Sequence, residues 1–124
     1  MRIILSFIAA FIFLSVNAQT DSTVLFKTTT HSFGKIVQHS PATTEFSFIN
    51  NSNKPLIIET ATAECGCTTP DYPKTPIQKG KGGVIKVTYN AENPGKFTKR
   101  VTVKFANIAS PVILTIEGEV QSKS

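Results

Sequence analysis

The sequence predicts an all-β domain, two sheets packed face to face. Three observations predict it. Apolar and polar residues alternate with a period of two through Thr43–Asn50, Val84–Asn90 and Phe97–Phe105, as in strands with one dry and one wet face. Turn-forming residues separate the runs, at Asn50–Pro55, Asn93-Pro94-Gly95-Lys96 and Ala106–Pro111. No window of useful length carries the 3.6-residue period of an amphipathic helix.

The elements follow in order. Val24–Thr30 is rich in β-branched residues and opens the fold. Phe33–Val37 is next, with a bulge or bend expected at Gly34. In Thr43–Asn50, Phe46 and Phe48 face one way, Glu45 and Ser47 the other. Leu56–Ala63 follows the polar loop, with Leu56 and Ile58 inward. A loop over Thr68–Gly83, after the cysteines, is longer than most connections. Then Val84–Asn90 turns Ile85, Val87 and Tyr89 to one face. In Asn93-Pro94-Gly95-Lys96, proline presets φ at the second position and glycine takes the positive φ at the third. Phe97–Phe105 buries Val101, Val103 and Phe105, and the last strand buries Val112, Leu114 and Ile116. Gly118 marks a bulge or a close backbone approach.

Seven such strands, each dry on one side, pair off as a small β-sandwich of immunoglobulin-like type. Phe26, Phe33, Phe46, Phe48, Phe97 and Phe105 are its large core fillers. The two cysteines are too close in sequence to clasp the two sheets together as in antibody domains, and there is no tryptophan.

The N-terminus has a different character. Arg2 precedes a nearly unbroken apolar run, Ile3–Val16, followed by Val16-Asn17-Ala18, the layout of a secretory leader cleaved after Ala18. The run is shorter than the roughly 20 residues that cross a bilayer. Residues 1–18 are therefore expected to be removed, leaving residues 19–124 as one domain with no transmembrane segment. No cysteine begins the mature chain, so no lipid attachment is expected. The thirteen basic side chains include Arg2; without it twelve face eight acids, a formal net charge of +4. The bases are spread along the chain, and no helical or zinc-finger recognition motif accompanies them, so nucleic acid is not an expected partner.

Export, to the periplasm or the cell surface, governs how Cys65-Gly66-Cys67 is read. Disulfides persist outside the cytoplasm. On a fully extended strand the two Cα atoms would lie about 6.6 Å apart, beyond the roughly 5.5–6 Å that disulfides favour. A bend at Gly66 closes the gap. The ring is so small that its contribution through loop closure is modest; its work is to set local backbone shape. The alternatives are copper or zinc bound by Cys65, Cys67 and His31, and thiol exchange. Thiolates suit both metals. However, structural zinc uses a wider cysteine spacing, and redox pairs use C-x-x-C.

No nucleophile elbow or Ser-His-Asp order is visible, and the acids match no calcium loop. The sequence therefore predicts a protein that is not an enzyme and carries no cofactor. Asn50-Asn51-Ser52 formally fits a glycosylation sequon. Within the long loop, Asp71, Tyr72 and Lys74 are candidate partner contacts, since long loops on rigid sandwiches carry binding; Tyr72 has packing against the sandwich as its other role.

His31–Ile36, Phe46–Asn50, Lys54–Ile58, Cys65-Gly66-Cys67-Thr68, Pro76-Ile77, Gly80, Gly83 and Pro94–Phe97, taken together, resemble a bacterial family called domain of unknown function 1573. The resemblance covers Val24 to Val120. It implies a small exported protein with an immunoglobulin-like domain, similar to those of major sperm protein and of ciliary proteins. One departure is Ser32, where the family usually has aspartate, so no role for an acid there carries over. The family brings no established activity. The function expected is a non-catalytic binding or scaffold domain of the cell envelope with a protein partner; the alternative is a metal-binding or thiol-redox protein built on the cysteine pair.

Overall fold

The structure, a computed structural model, describes residues 23–123. The expected leader, residues 1–18, lies outside them. The strands are β1 (Val24–Phe26), β2 (Thr30–Val37), β3 (Ala42–Asn50), β4 (Ile58–Ala63), β5 (Thr68–Asp71), β6 (Gly82–Tyr89), β7 (Gly95–Phe105) and β8 (Val112–Gln121). They form two four-stranded sheets, β1-β3-β6-β5 and β2-β8-β7-β4. All pairings are antiparallel except β2 with β8, which run parallel.

The alternation read from the sequence sets the core. Phe46 and Phe48 of β3, Ile85, Val87 and Tyr89 of β6, and Val101, Val103 and Phe105 of β7 are buried. Leu114 and Ile116 of β8 join them, with Leu56 and Ile58. Tyr89 stacks on Phe97 at 3.9 Å between ring centroids. Phe26 and Phe33 are half-buried against this cluster.

Two strand assignments change. Val24–Thr30 is not one strand. The chain leaves the first sheet after Phe26 and enters the second at Thr30. At the break, the Thr28 hydroxyl donates to the Thr30 carbonyl at 2.9 Å and stands 3.3 Å from the Thr30 N–H, local bonding that competes with a ladder. A β-branched run favours extended backbone but does not say to which sheet it belongs. Thr68–Gly83, in turn, is not all loop. Thr68–Asp71 pairs with Tyr89–Lys86 as the eighth strand, and Ile77 bridges Leu56. The prolines of this segment argue against a strand only in a sheet interior. At an edge, a proline whose nitrogen points outward costs no ladder bond.

The expected bulge is present: the β2–β8 register shifts between Ser32 and Lys35, and Gly34 has φ +68°. Ser32 Oγ accepts the Gly34 N–H at 3.4 Å, a bond that an aspartate carboxylate would also make. Opposite the bulge, a Cβ on Gly118 would stand 2.9 Å from the Gly34 carbonyl and 3.0 Å from the Phe97 ring. The close approach expected at Gly118 is therefore real.

Candidate functional site

The cysteine pair forms the corner where the chain passes from β4 in one sheet to β5 in the other. β4 is the outer strand of its sheet and β5 the outer strand of the other. The Glu64 N–H still reaches the Arg100 carbonyl at 3.2 Å. The return bond, from the Arg100 N–H, goes to the Glu64 carboxylate at 2.9 Å. The side chain thus replaces a backbone acceptor and releases the main chain from the ladder. The Cys65 carbonyl accepts the Thr68 N–H at 3.4 Å, closing a four-residue turn, and the Cys67 carbonyl accepts the Asn90 N–H at 2.9 Å as pairing with β6 begins. Cys65 and Cys67 are joined by a disulfide with Cα atoms 5.3 Å apart, shorter than the extended spacing. The buried Thr68 hydroxyl lies 3.8 Å from the Cys65 sulfur and 3.6 Å from that of Cys67.

The expected bend at Gly66 does not depend on glycine: its φ is not positive, and a Cβ there would meet nothing within 4 Å. An alanine fits this backbone.

His31 is not brought to the sulfurs. It lies on β2, at the opposite edge of the sheet from β4, three strand spacings or roughly 14 Å away, with its ring edge-on to Phe33 at 4.8 Å. Among the described residues no group of three or more His, Cys, Asp or Glu side chains could hold a metal.

The loop candidates separate. Tyr72 is half-buried against the core, and the Lys74 ammonium sits 3.1 Å above its ring, a cation–π contact. Asp71 is exposed on the outer face of β5, directly across from Lys86. Tyr72 and Lys74 act together, whereas Asp71 faces elsewhere.

Two features escaped the sequence reading. The first is Asn50, fully buried. Its Nδ2 donates to the carbonyls of Lys54 at 2.7 Å and Ile77 at 2.9 Å. Its Oδ1 accepts the Ser52 N–H at 2.9 Å and the Ser52 hydroxyl at 2.6 Å. Asn50 pins two loops, and its amide is not free to carry a glycan. The alternation of β3 held the signal, because it places residue 50 on the same face as Phe46 and Phe48.

The second is an apolar group on the outer face of the first sheet. Leu25, Ile49 and Val84 are 46%, 50% and 38% exposed. Leu25 and Ile49 are cross-strand partners. Val84 pairs with Ser47, two residues along β3 from Ile49. A shallow cleft of about 290 Å³ runs along β1 and β3, lined by Leu25, Phe26, Lys27, Ser47, Phe48 and Ile49. The same parity rule that buries Phe46 puts Ile49 outside with Glu45 and Ser47.

With the geometry in place, comparison with known proteins assigns the family. The model of DUF1573, described as a protein of unknown function, matches residues 24–120. The chain belongs to that family. Among solved structures, the DUF1573 chain is similar to a protein of unknown function from Porphyromonas gingivalis, with a TM-score of 0.68 and 14% identity over 78% of this chain and 46% of that one. It is similar to the Vibrio cholerae VesB protease, with a TM-score of 0.63 and 10% identity over 79% of this chain and 32% of that one. It is also similar to the ASH/PapD-like domain 7 of human CEP192, with a TM-score of 0.69 and 6% identity over 82% of this chain and 87% of that one. The chain thus spans less than half of the first two proteins and most of the third. At such identities the likeness is one of fold, an immunoglobulin-like sandwich. No curated protein matches the chain. Among the described residues no helix is long and apolar enough to cross a membrane.

Proposed function

We propose that this DUF1573 protein is a non-catalytic binding or scaffold domain of the cell envelope, engaging a protein partner through the outer face of the β1-β3-β6-β5 sheet. The observation that carries the reading is the apolar group Leu25, Ile49 and Val84, on adjacent strands of one face. Contiguous exposed apolar surface on a soluble domain marks an interaction site. Export is the second support, and it rests on the leader-like run that ends at Ala18.

The test is a photo-crosslinking amino acid placed at Ile49 or at Val84 in the protein exported by a bacterial host. A third placement, at Ile113, which is 42% exposed on the other sheet, serves as control. The expected result is a discrete crosslinked partner from the first two positions and none from Ile113. Equal or absent crosslinking at all three would overturn the reading.

A further inference from the structure

Sheet edges that present unpaired N–H and C=O groups recruit other strands unless guarded. Most outer edges here are guarded. In β5 the pairing of Cys67 with Asn90 directs the backbone groups of Thr69 and Asp71 toward β6 and those of Thr68 and Pro70 outward. Proline has no N–H to offer. β2 carries the Gly34 bulge together with Lys35, β4 is irregular between Ile58 and Thr60, and β1 is only three residues long.

The shortness of β1 exposes what it fails to cover. β3 spans Ala42–Asn50, and β1 pairs only with Asn50–Phe48. Lys27 N–H adds one bond to the Ser47 carbonyl, and Asn51 N–H bonds the Thr23 carbonyl, whereas Asn50 N–H points the other way, to Lys81. Odd-numbered residues of β3 therefore bond on the β1 side. By that alternation Thr43 and Glu45 aim their N–H and C=O groups out of the sheet where β1 has already left. No proline or bulge interrupts this stretch.

We propose that β3 from Thr43 to Phe46 is a strand-addition slot. Its occupant is an extended, proline-free partner segment that continues the line of β1 and pairs with Thr43 and Glu45. The unpaired backbone groups specify an extended chain as the occupant. The inward side chains of the added strand lie over the gap between sheets, near half-buried Phe33 and Ile36 of β2, and are apolar. Its outward side chain beside Glu45 is basic or neutral. This deepens the binding reading above and rests on it.

The test uses amide hydrogen exchange on the exported protein. The probe is a soluble peptide of about six residues alternating valine with lysine or threonine. In the free protein, Thr43 and Glu45 exchange fast while Thr44 and Phe46 are protected. With millimolar peptide, exchange at Thr43 and Glu45 slows by about tenfold or more. A peptide N-methylated at its pairing amides gives no such protection. Glu45→Pro, whose lost N–H bonds nothing in this structure, abolishes the slowing at Thr43, and the N-methyl control carries the conclusion should that variant misfold. Protection elsewhere, or none, overturns the slot. So does slowing that follows protein concentration without peptide, which would make a second copy the occupant. Crosslinks at Ile49 without protection at Thr43 and Glu45 would retain the binding reading and reject the slot; protection without crosslinks would retain a binding domain with the slot and reject the outer face as its contact.

Discussion

The chain passes between the two sheets five times; two of these passages join edge strand to edge strand, one on each flank of the sandwich, and they are built differently. On one flank, β1 gives way to β2 across Lys27–Thr29 with no covalent tie. The anchor there is Phe26, whose ring meets Phe48 of one sheet at 5.4 Å and Phe105 of the other at 6.4 Å. On the other flank, Glu64–Cys67 carry β4 into β5, and a disulfide holds the turn. The aromatic anchor draws on the shared core, but leaves half of β3 uncovered. The covalent anchor is local, and its flank ends in a proline-guarded edge. Both passages touch the core, Cys67 packing against it as Phe26 does, but only the second is also fastened within its own turn.

This contrast can be broken from either side. Phe26→Ala should have the largest effect, a loss of about 3 kcal/mol, at the low end for a buried ring because Phe26 is half-buried. Urea unfolding would measure it, and a loss below that of the cysteine variant would reverse the ranking of the two anchors. Asn50→Ala, at the far end of the β1–β3 pairing, should cost about 2 kcal/mol by removing a donor from the Lys54 and Ile77 carbonyls and the acceptor of the Ser52 N–H. Hydrogen exchange in the Asn51–Lys54 and Ile77–Lys81 loops should rise with it. The Cys65→Ser, Cys67→Ser double variant should cost about 1–2 kcal/mol, the loop-closure value for so short a ring, with its disturbance confined to Thr68, Asn90 and the start of β5. A global loss as large as that of Phe26→Ala would make the disulfide more than a local fastening. Gly66→Ala should be smallest, within about 0.5 kcal/mol, because neither backbone nor neighbours resist a methyl there. A markedly larger loss would show that the turn needs freedom this conformation does not display.

The legibility of these features followed the range of the physics behind them. Alternation is a local signal, so Phe46, Ile85, Val103 and Leu114 could be placed before any sheet was known. The bulge at Gly34 was legible because glycine supplies the φ of +68° at no steric cost. The division of Val24–Thr30 between sheets was not legible, since it depends on which distant strands supply bonds. Thr29 accepts from Thr115, and Lys27 donates to Ser47. Strand β5 was hidden by Pro70, whose meaning changes with the direction its nitrogen faces. At the corner, the expected export and the presence of two cysteines favoured a Cys65–Cys67 disulfide over metal binding or thiol exchange, and the disulfide is formed. The role of the Glu64 carboxylate as a substitute acceptor for Arg100 depends on a neighbour 36 residues away. Tyr72 was left between two roles, and its contact with the core shows the packing one.

The parallel pairing of β2 with β8 has a mechanical consequence. Tension applied through Thr23 and Gln121 pulls these two neighbours in opposite directions along their length. The bonds between them then bear load together, as in a lap joint, instead of parting one after another as in a zip. A domain so loaded should withstand greater force when stretched from its ends than when stretched through Asn93 and Gln121, where the antiparallel β7–β8 ladder begins to peel from Gly95↔Val120. Single-molecule extension along the two directions would measure the difference; equal rupture forces would show that the load passes elsewhere.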